Sequence, residues 1–185
     1  MTIKTSANAT NIELRNQGII HICGAIKDEK IGETIKELVF MNFFENMSFK
    51  NIQIILNSCG GELNSAFMLT DFIEFSKKPV YITGLGICAS AGILILCSGV
   101  ENHRIITKNT SLLSHQYTWG MAGEKYHDLV ASRKEQDLTH ERMINHYLKH
   151  SNLNRNQIKK ILLPESDVWL TPKEAKKYGL IDKIV

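Results

Sequence analysis

The sequence predicts an α/β domain with a mostly parallel sheet. Three observations carry that prediction: short apolar runs alternate with segments of helical periodicity, each connection passes through glycine, and no repeat or linker divides the chain. The 185 residues are 43% hydrophobic, enough for one domain with a full core.

Residues 1–17 read as a loose, polar arm. Gly18 to Cys23 has the apolar content of a buried strand. Ile31, Ile35, Leu38 and Val39 then form a helical stripe, which Asn42 is expected to end. Asn51 to Asn57 reads as a second strand, closed by Ser58-Cys59-Gly60-Gly61. Leu63, Ala66, Phe67, Thr70 and Ile73 mark a second helix, and Pro79 lies beyond its end. Val80 to Thr83 reads as a third strand, running into Gly84-Leu85-Gly86. A short apolar helix is expected to start near Ser90, followed by strands at His103–Ile106 and Leu112–Ser114.

Glu124 to His150 reads as one long helix with a polar waist, Arg133 to Asp137. Such a waist suits either a solvated surface helix or an arm that meets another subunit. Thr171-Pro172-Lys173-Glu174 has the layout of a capping box, with Gly179 closing that helix and Leu180 to Val185 forming a last strand.

Several function classes lose ground on composition. A net charge of +3, not gathered in one block, argues against nucleic acid as the main partner. The longest apolar run, Ile93 to Cys97, is far too short to span a membrane. The polar N-terminus has no signal-peptide layout, so a cytoplasmic location is expected. Cys23, Cys59, Cys88 and Cys97 form no CxxC pair and are expected to be buried thiols in a reducing compartment. His127, His140, His146 and His150 have no metal-site pattern and are expected on the surface, so neither metal nor cofactor is anticipated.

Chemistry concentrates where strands end, the usual place for ligands in such sheets. Gly86 to Gly92 brings a strand end, a crowd of small residues and one serine, Ser90. Small neighbours let substrate backbone approach a nucleophile on a strand-to-helix turn. The Ala91 N–H would face an oxyanion at the helix N-terminus. Ser90 is equally suited to be an ordinary N-cap. Gly60-Gly61 can offer backbone N–H groups to a ligand or simply make a turn. His115 directly follows a short strand, as a base near Ser90 would need to. Asp167, set beside the apolar Val168-Trp169-Leu170, is the candidate to orient that base or else a plain turn residue.

Four ordered motifs then resemble the proteolytic-subunit family of Clp proteases, ClpP, over residues 18–185. They are Asn57-Ser58-Cys59-Gly60-Gly61, Ala89-Ser90-Ala91-Gly92, His115-Gln116, and Asp167-Val168-Trp169-Leu170-Thr171. The C-terminal Glu174-Ala175 and Tyr178-Gly179-Leu180-Ile181-Asp182 extend the likeness. The resemblance implies a ClpP/crotonase-like fold with a protruding handle helix over about 124–150, and an ATP-dependent serine endopeptidase. It assigns Ser90, His115 and Asp167 as the triad, and the N–H groups of Gly61 and Ala91 as the oxyanion hole. The implied assembly is a ring of seven, open to pairing as a double ring and to mixing with another ClpP subunit. Its active sites would face a chamber fed with peptide by an AAA+ Clp unfoldase, since this chain has no phosphate-binding loop of its own.

The chain departs from the family at Cys59, Tyr117 and Ser166, where Pro, Pro and Arg are usual. These departures suit a divergent paralogue or a phage-borne member. Ser166 bears on ring pairing and opens an alternative: a weakly active subunit that modulates another ClpP. In the implied ATPase-docking pocket, Phe75, Ile55, Leu85 and Ile105 stay apolar, while Gln53, Thr83 and Thr107 are polar. Weak docking is therefore expected, because a polar group desolvated without a partner costs about 1–3 kcal/mol. A crotonase-type acyl-CoA enzyme is the competing reading from another class, and it typically lacks a Ser-His-Asp set.

Overall fold

In a computed structural model, the structure describes residues 11–43, 48–120 and 125–185. Residues 1–10 of the expected arm and Glu124, the expected start of the long helix, lie outside the described residues. Residues 11–16, inside that arm, are helical.

Five parallel strands run in the order β1 (Ile19–Cys23), β2 (Ile52–Ser58), β3 (Val80–Ala89), β4 (Arg104–Ile106) and β7 (Lys183–Ile184). β5 (Ser111–Ser114) pairs parallel with β3, and β6 (Val168–Leu170) pairs antiparallel with β5. The mostly parallel α/β sheet is therefore as expected. In β2 the even positions Ile52, Ile54, Leu56 and Ser58 are buried and the odd ones half-buried, the period of two that a pleated strand imposes. The buried face meets α1 (Asp28–Phe43), α2 (Leu63–Phe75) and α3 (Ala91–Cys97) in one hydrophobic core.

β3 is longer than Val80–Thr83 and continues through its glycines to Ala89. Its first half pairs with β4 and its second half with β5. Between them the register with β2 slips: Leu56 pairs with Gly84, but Ser58 pairs with Cys88. The extra residues bulge at Gly86, whose φ of +68° is open to glycine and disfavoured for other residues. This bulge re-aims the strand and delivers Ser90 beyond the sheet.

α1 is described as far as Phe43, so Asn42 lies in its last turn. It lies buried inside the helix, where its side-chain amide donates to the Leu38 carbonyl at 2.8 Å. Its Oδ1 accepts from Ser76 Oγ at 2.8 Å and Lys78 N at 3.2 Å, so it ties α1 to the turn after α2. A buried asparagine with these partners is a satisfied polar residue in the last turn of the helix.

The long helix α4 runs from Tyr126 to His150 and has two characters. Residues 127–131 are all exposed, whereas Thr139, Met143, Ile144, His146 and Tyr147 are buried. His146 therefore departs from the surface position expected of it: its Nε2 lies 2.9 Å from the Leu94 carbonyl. α5 (Arg155–Ile161) follows, capped by Asn154. α6 (Pro172–Lys177) has the expected box, with Thr171 Oγ1 accepting from Glu174 N and the Glu174 carboxylate accepting from Thr171 N. Gly179 closes it at φ +76°. Asp182 of the C-terminal signature makes a two-pronged ion pair with Arg104, at 2.6 and 2.9 Å. Arg104 Nη1 also donates to the His150 carbonyl at 3.0 Å, so this pair pins the end of α4 to the sheet.

Candidate active site

Ser90 stands between β3 and α3 with φ +55° and ψ −123°. A non-glycine residue held there costs on the order of 1–3 kcal/mol, a strain that gathers at functional turns. Its side chain makes no capping hydrogen bond to α3, which removes the ordinary N-cap reading. Its main chain is fixed, with the N–H donating to the Leu113 carbonyl of β5 at 2.9 Å.

His115 leaves β5 directly, and its Nε2 lies 2.7 Å from Ser90 Oγ. On the far side of the ring, Nδ1 is 3.6 Å from Asp167 Oδ1. That is an ion-pair separation, longer than a formed hydrogen bond. The side chain of His115 is 23% exposed and that of Asp167 64% exposed. The structure therefore brings all three expected residues together, tightly at one end and loosely at the other. The pairing of β5 with β6 explains the approach, because Ser114 sits opposite Val168 and Asp167 immediately precedes it.

The Gly60-Gly61 turn packs directly on this site. A Cβ on Gly60 would come within 2.6 Å of Ser90 Cβ and 2.7 Å of the Ala89 carbonyl. Gly60 has φ +94° and donates its N–H to Ser58 Oγ at 3.0 Å. Among the described residues, the Gly61 N–H has no hydrogen-bond acceptor. Ala91 is the first residue of α3, so its N–H has no acceptor within the helix. Two backbone donors are thus left free beside Ser90. A cavity of about 370 Å³ opens alongside, walled by Leu63, Leu94, Tyr117 and Met143, with the Thr139 side chain also on its lining. This arrangement can activate a hydroxyl, hold an acyl group and receive an apolar side chain.

The residues expected to line a docking pocket fall on two layers, the sheet and the end of α2. Ile55 and Ile105 flank Thr83 in adjacent registers, and Gln53 lies one step along β2. Phe75 is 68% exposed at the end of α2, with its ring contacts to Phe43 and Phe72. Gln53 Nε2 donates to Thr83 Oγ1 at 3.1 Å, and Thr107 Oγ1 meets Thr110 Oγ1 at 2.9 Å. Gln53 Nε2, Thr83 Oγ1 and Thr107 Oγ1 thus have partners within the chain. Sequence periodicity placed Gln53 and Thr83 in strands and Thr107 just past one, but carried no sign of this bonding.

Burial divides the thiols differently from expectation. Cys88 and Cys97 are buried, and burial pushes both up to about 12. Cys23, at the end of edge strand β1, and Cys59, in the turn after β2, are exposed. Among the described residues no cluster of three or more His, Cys, Asp or Glu is placed to hold a metal. No helix there is long and apolar enough to cross a membrane.

A serine and a histidine in contact beyond the ends of parallel strands, beside free backbone donors, have the arrangement that acyl-transfer chemistry uses. The family model for Clp protease matches residues 4–185, nearly the whole chain. A relative from Streptococcus mutans serotype c, described as an ATP-dependent Clp protease proteolytic subunit, is 32% identical over 168 residues. The match covers 90% of this chain and 84% of that relative. The chain belongs to the Clp protease family.

Proposed function

We propose that this chain is a serine endopeptidase, the proteolytic subunit of an ATP-dependent Clp protease. The observation that carries the reading is the 2.7 Å contact between Ser90 Oγ and His115 Nε2, with Ser90 on a strained strand-to-helix turn. For Nε2 to accept, the ring proton must sit on Nδ1, facing Asp167. His115 takes the hydroxyl proton as Ser90 Oγ attacks the peptide carbonyl carbon. The Gly61 and Ala91 N–H groups stabilise the oxyanion, at about 10²–10³ in rate for each donor. As the C–N bond breaks, His115 returns the proton to the leaving amine. Water then attacks the acyl-enzyme, passing its proton through His115 back to Ser90, and the acid product leaves.

In this reading the long helix α4 is the handle through which two rings meet, and the working form is built of seven-membered rings. The exposed first half of α4, which leaves Leu129 and Val130 uncovered, supports it. Sites facing a chamber would be closed to folded proteins, so a partner unfoldase supplies extended chain. A cytoplasmic location goes with this reading.

Fluorophosphonate labelling tests the chemistry. The wild-type chain should be labelled and should cleave short peptides, and Ser90→Ala should do neither. A stably folded fluorescent protein should survive without ATP and an unfoldase. Its loss in a Ser90-dependent manner would mean the sites are open to solvent. Native mass spectrometry should give a ring, and a monomer at micromolar concentration would overturn that part. The second reading, a weakly active subunit that modulates another ClpP, is favoured by the 3.6 Å gap at Asp167. It predicts that peptide hydrolysis rises when a partner subunit joins the ring.

A further inference from the structure

Tyr117 lies two residues beyond His115 and takes no part in the triad. Its ring packs against the core and meets Trp119 edge-on, with centroids 6.3 Å apart. Its hydroxyl donates to the main-chain carbonyl of Gln136 at 2.6 Å, in the middle of α4. A helical carbonyl has a second lone pair, so it can accept this bond without giving up its place in the helix. Burial, aided by the Asp137 carboxylate, raises the phenol above its ordinary value, so the hydroxyl remains a donor.

The neighbours of His115 are also tied down, but to other places. Ser114 Oγ donates to the Leu162 carbonyl at 2.6 Å and meets the Tyr147 hydroxyl at 3.0 Å. Gln116 Nε2 donates to the Leu163 carbonyl at 3.0 Å. Among the described residues, the Tyr117 hydroxyl makes the one hydrogen bond of residues 117–120. Strand β5 thus fixes the chain entering His115, and Gln116 and Tyr117 fix the chain leaving it, Tyr117 onto α4. The Asp167 contact adds little restraint, being long and largely exposed.

We propose that Tyr117 is a positioning residue: its hydroxyl bond to the Gln136 carbonyl locks the chain leaving His115 onto α4 and so holds the imidazole against Ser90. The proposal rests on the reading of Ser90 and His115 as the reacting pair. It assigns to a side chain the restraint that a well-formed carboxylate bond would otherwise give.

Tyr117→Phe in the full-length assembly is the test, because it keeps the ring and the cavity wall and removes only the hydroxyl. The fluorophosphonate labelling rate of Ser90 and kcat for a short peptide should each fall about tenfold, with KM changed less than about twofold. The thermal midpoint and the mass of the assembly are measured alongside and should stay as in wild type. Labelling and kcat within about twofold of wild type would overturn the proposal. So would a rise in KM alone, which would make Tyr117 a wall of the cavity and nothing more. A loss of kcat that comes with loss of assembly would also overturn it, since the tyrosine would then hold the fold. If the wild-type chain is itself unlabelled, the peptidase reading fails first and the proposal falls with it. Labelling of wild type with an unaffected Tyr117→Phe removes the proposal alone.

Discussion

Ser90 and Asp167 approach the same imidazole from very different surroundings. Ser90 follows a ten-residue strand bonded on both sides and opens α3, a helix whose seven residues are all buried. Asp167 follows a turn, precedes a three-residue strand at the sheet's end, and keeps a side chain 64% exposed. Ser90 is held by main chain that cannot move without opening the core. The carboxylate is held by little beyond its own backbone. Main-chain hydrogen bonds and packing set position at one end, whereas the other depends on a long, exposed side-chain contact.

Breaking the rigid end should cost most. Ser90→Ala is expected to lower peptide hydrolysis by about 10⁴-fold or more while leaving the thermal midpoint unchanged. Residual activity within tenfold of wild type would remove Ser90 from the chemistry. Gly60→Ala attacks the same end indirectly, since the added Cβ would press on Ser90 Cβ and the Ala89 carbonyl at a φ of +94°. Moving Ser90 and the neighbouring Gly61 donor should lower kcat by about 10²–10³-fold. An active Gly60→Ala enzyme would show that the turn yields where the packing says it cannot.

The exposed end should matter less. Asp167→Asn is expected to lower kcat by about 10²-fold, short of the ~10⁴-fold that follows when a buried triad carboxylate is neutralised. A loss equal to that of Ser90→Ala would mean that Asp167 closes on His115 in the working assembly, and the contrast between the two ends would vanish.

A last effect is absent at neutral pH and concerns stability rather than rate, through His146, buried where His115 is partly exposed. Burial, helped by the neighbouring His150, pushes His146 down to about 4. In the unfolded chain it would take up a proton near its ordinary value of about 6.5. Between those two values the unfolded state binds the extra proton, so stability is full above about 6.5 and is lost as pH falls towards 4. The loss should total on the order of 3 kcal/mol across that window. Urea midpoints measured from pH 7 to pH 4.5 should fall in wild type and less steeply in His146→Gln. Equal slopes would show that other groups govern acid sensitivity.

Strand ends and glycine turns were readable because they are local. Apolar runs of five to seven residues, bounded by glycine, leave few alternatives to buried strands. The capping box at Thr171 and Glu174 needs only residues three apart, and the structure has both of its bonds. What Asn42 bonds to was not readable in this way. Its partners Ser76 and Lys78 lie more than thirty residues away. The same distance hid the burial of His146 under Leu94 and the bonding of Gln53 with Thr83.

The sequence by itself determined the alternation of strands and helices, the glycine turns, and the order in which Ser90, His115 and Asp167 occur. Periodicity and turn chemistry act over a few residues, and they survive in any context that buries the apolar face. Only the tertiary structure decided how those residues meet. The slip between Leu56 and Ser58, the bulge at Gly86, and the pairing of β5 with both β3 and β6 depend on how separate strands pack together. They leave Ser90 at 2.7 Å from His115 and Asp167 at 3.6 Å. Contacts between distant segments are selected by the packing of the whole core, and no local pattern records an ångström of difference between them.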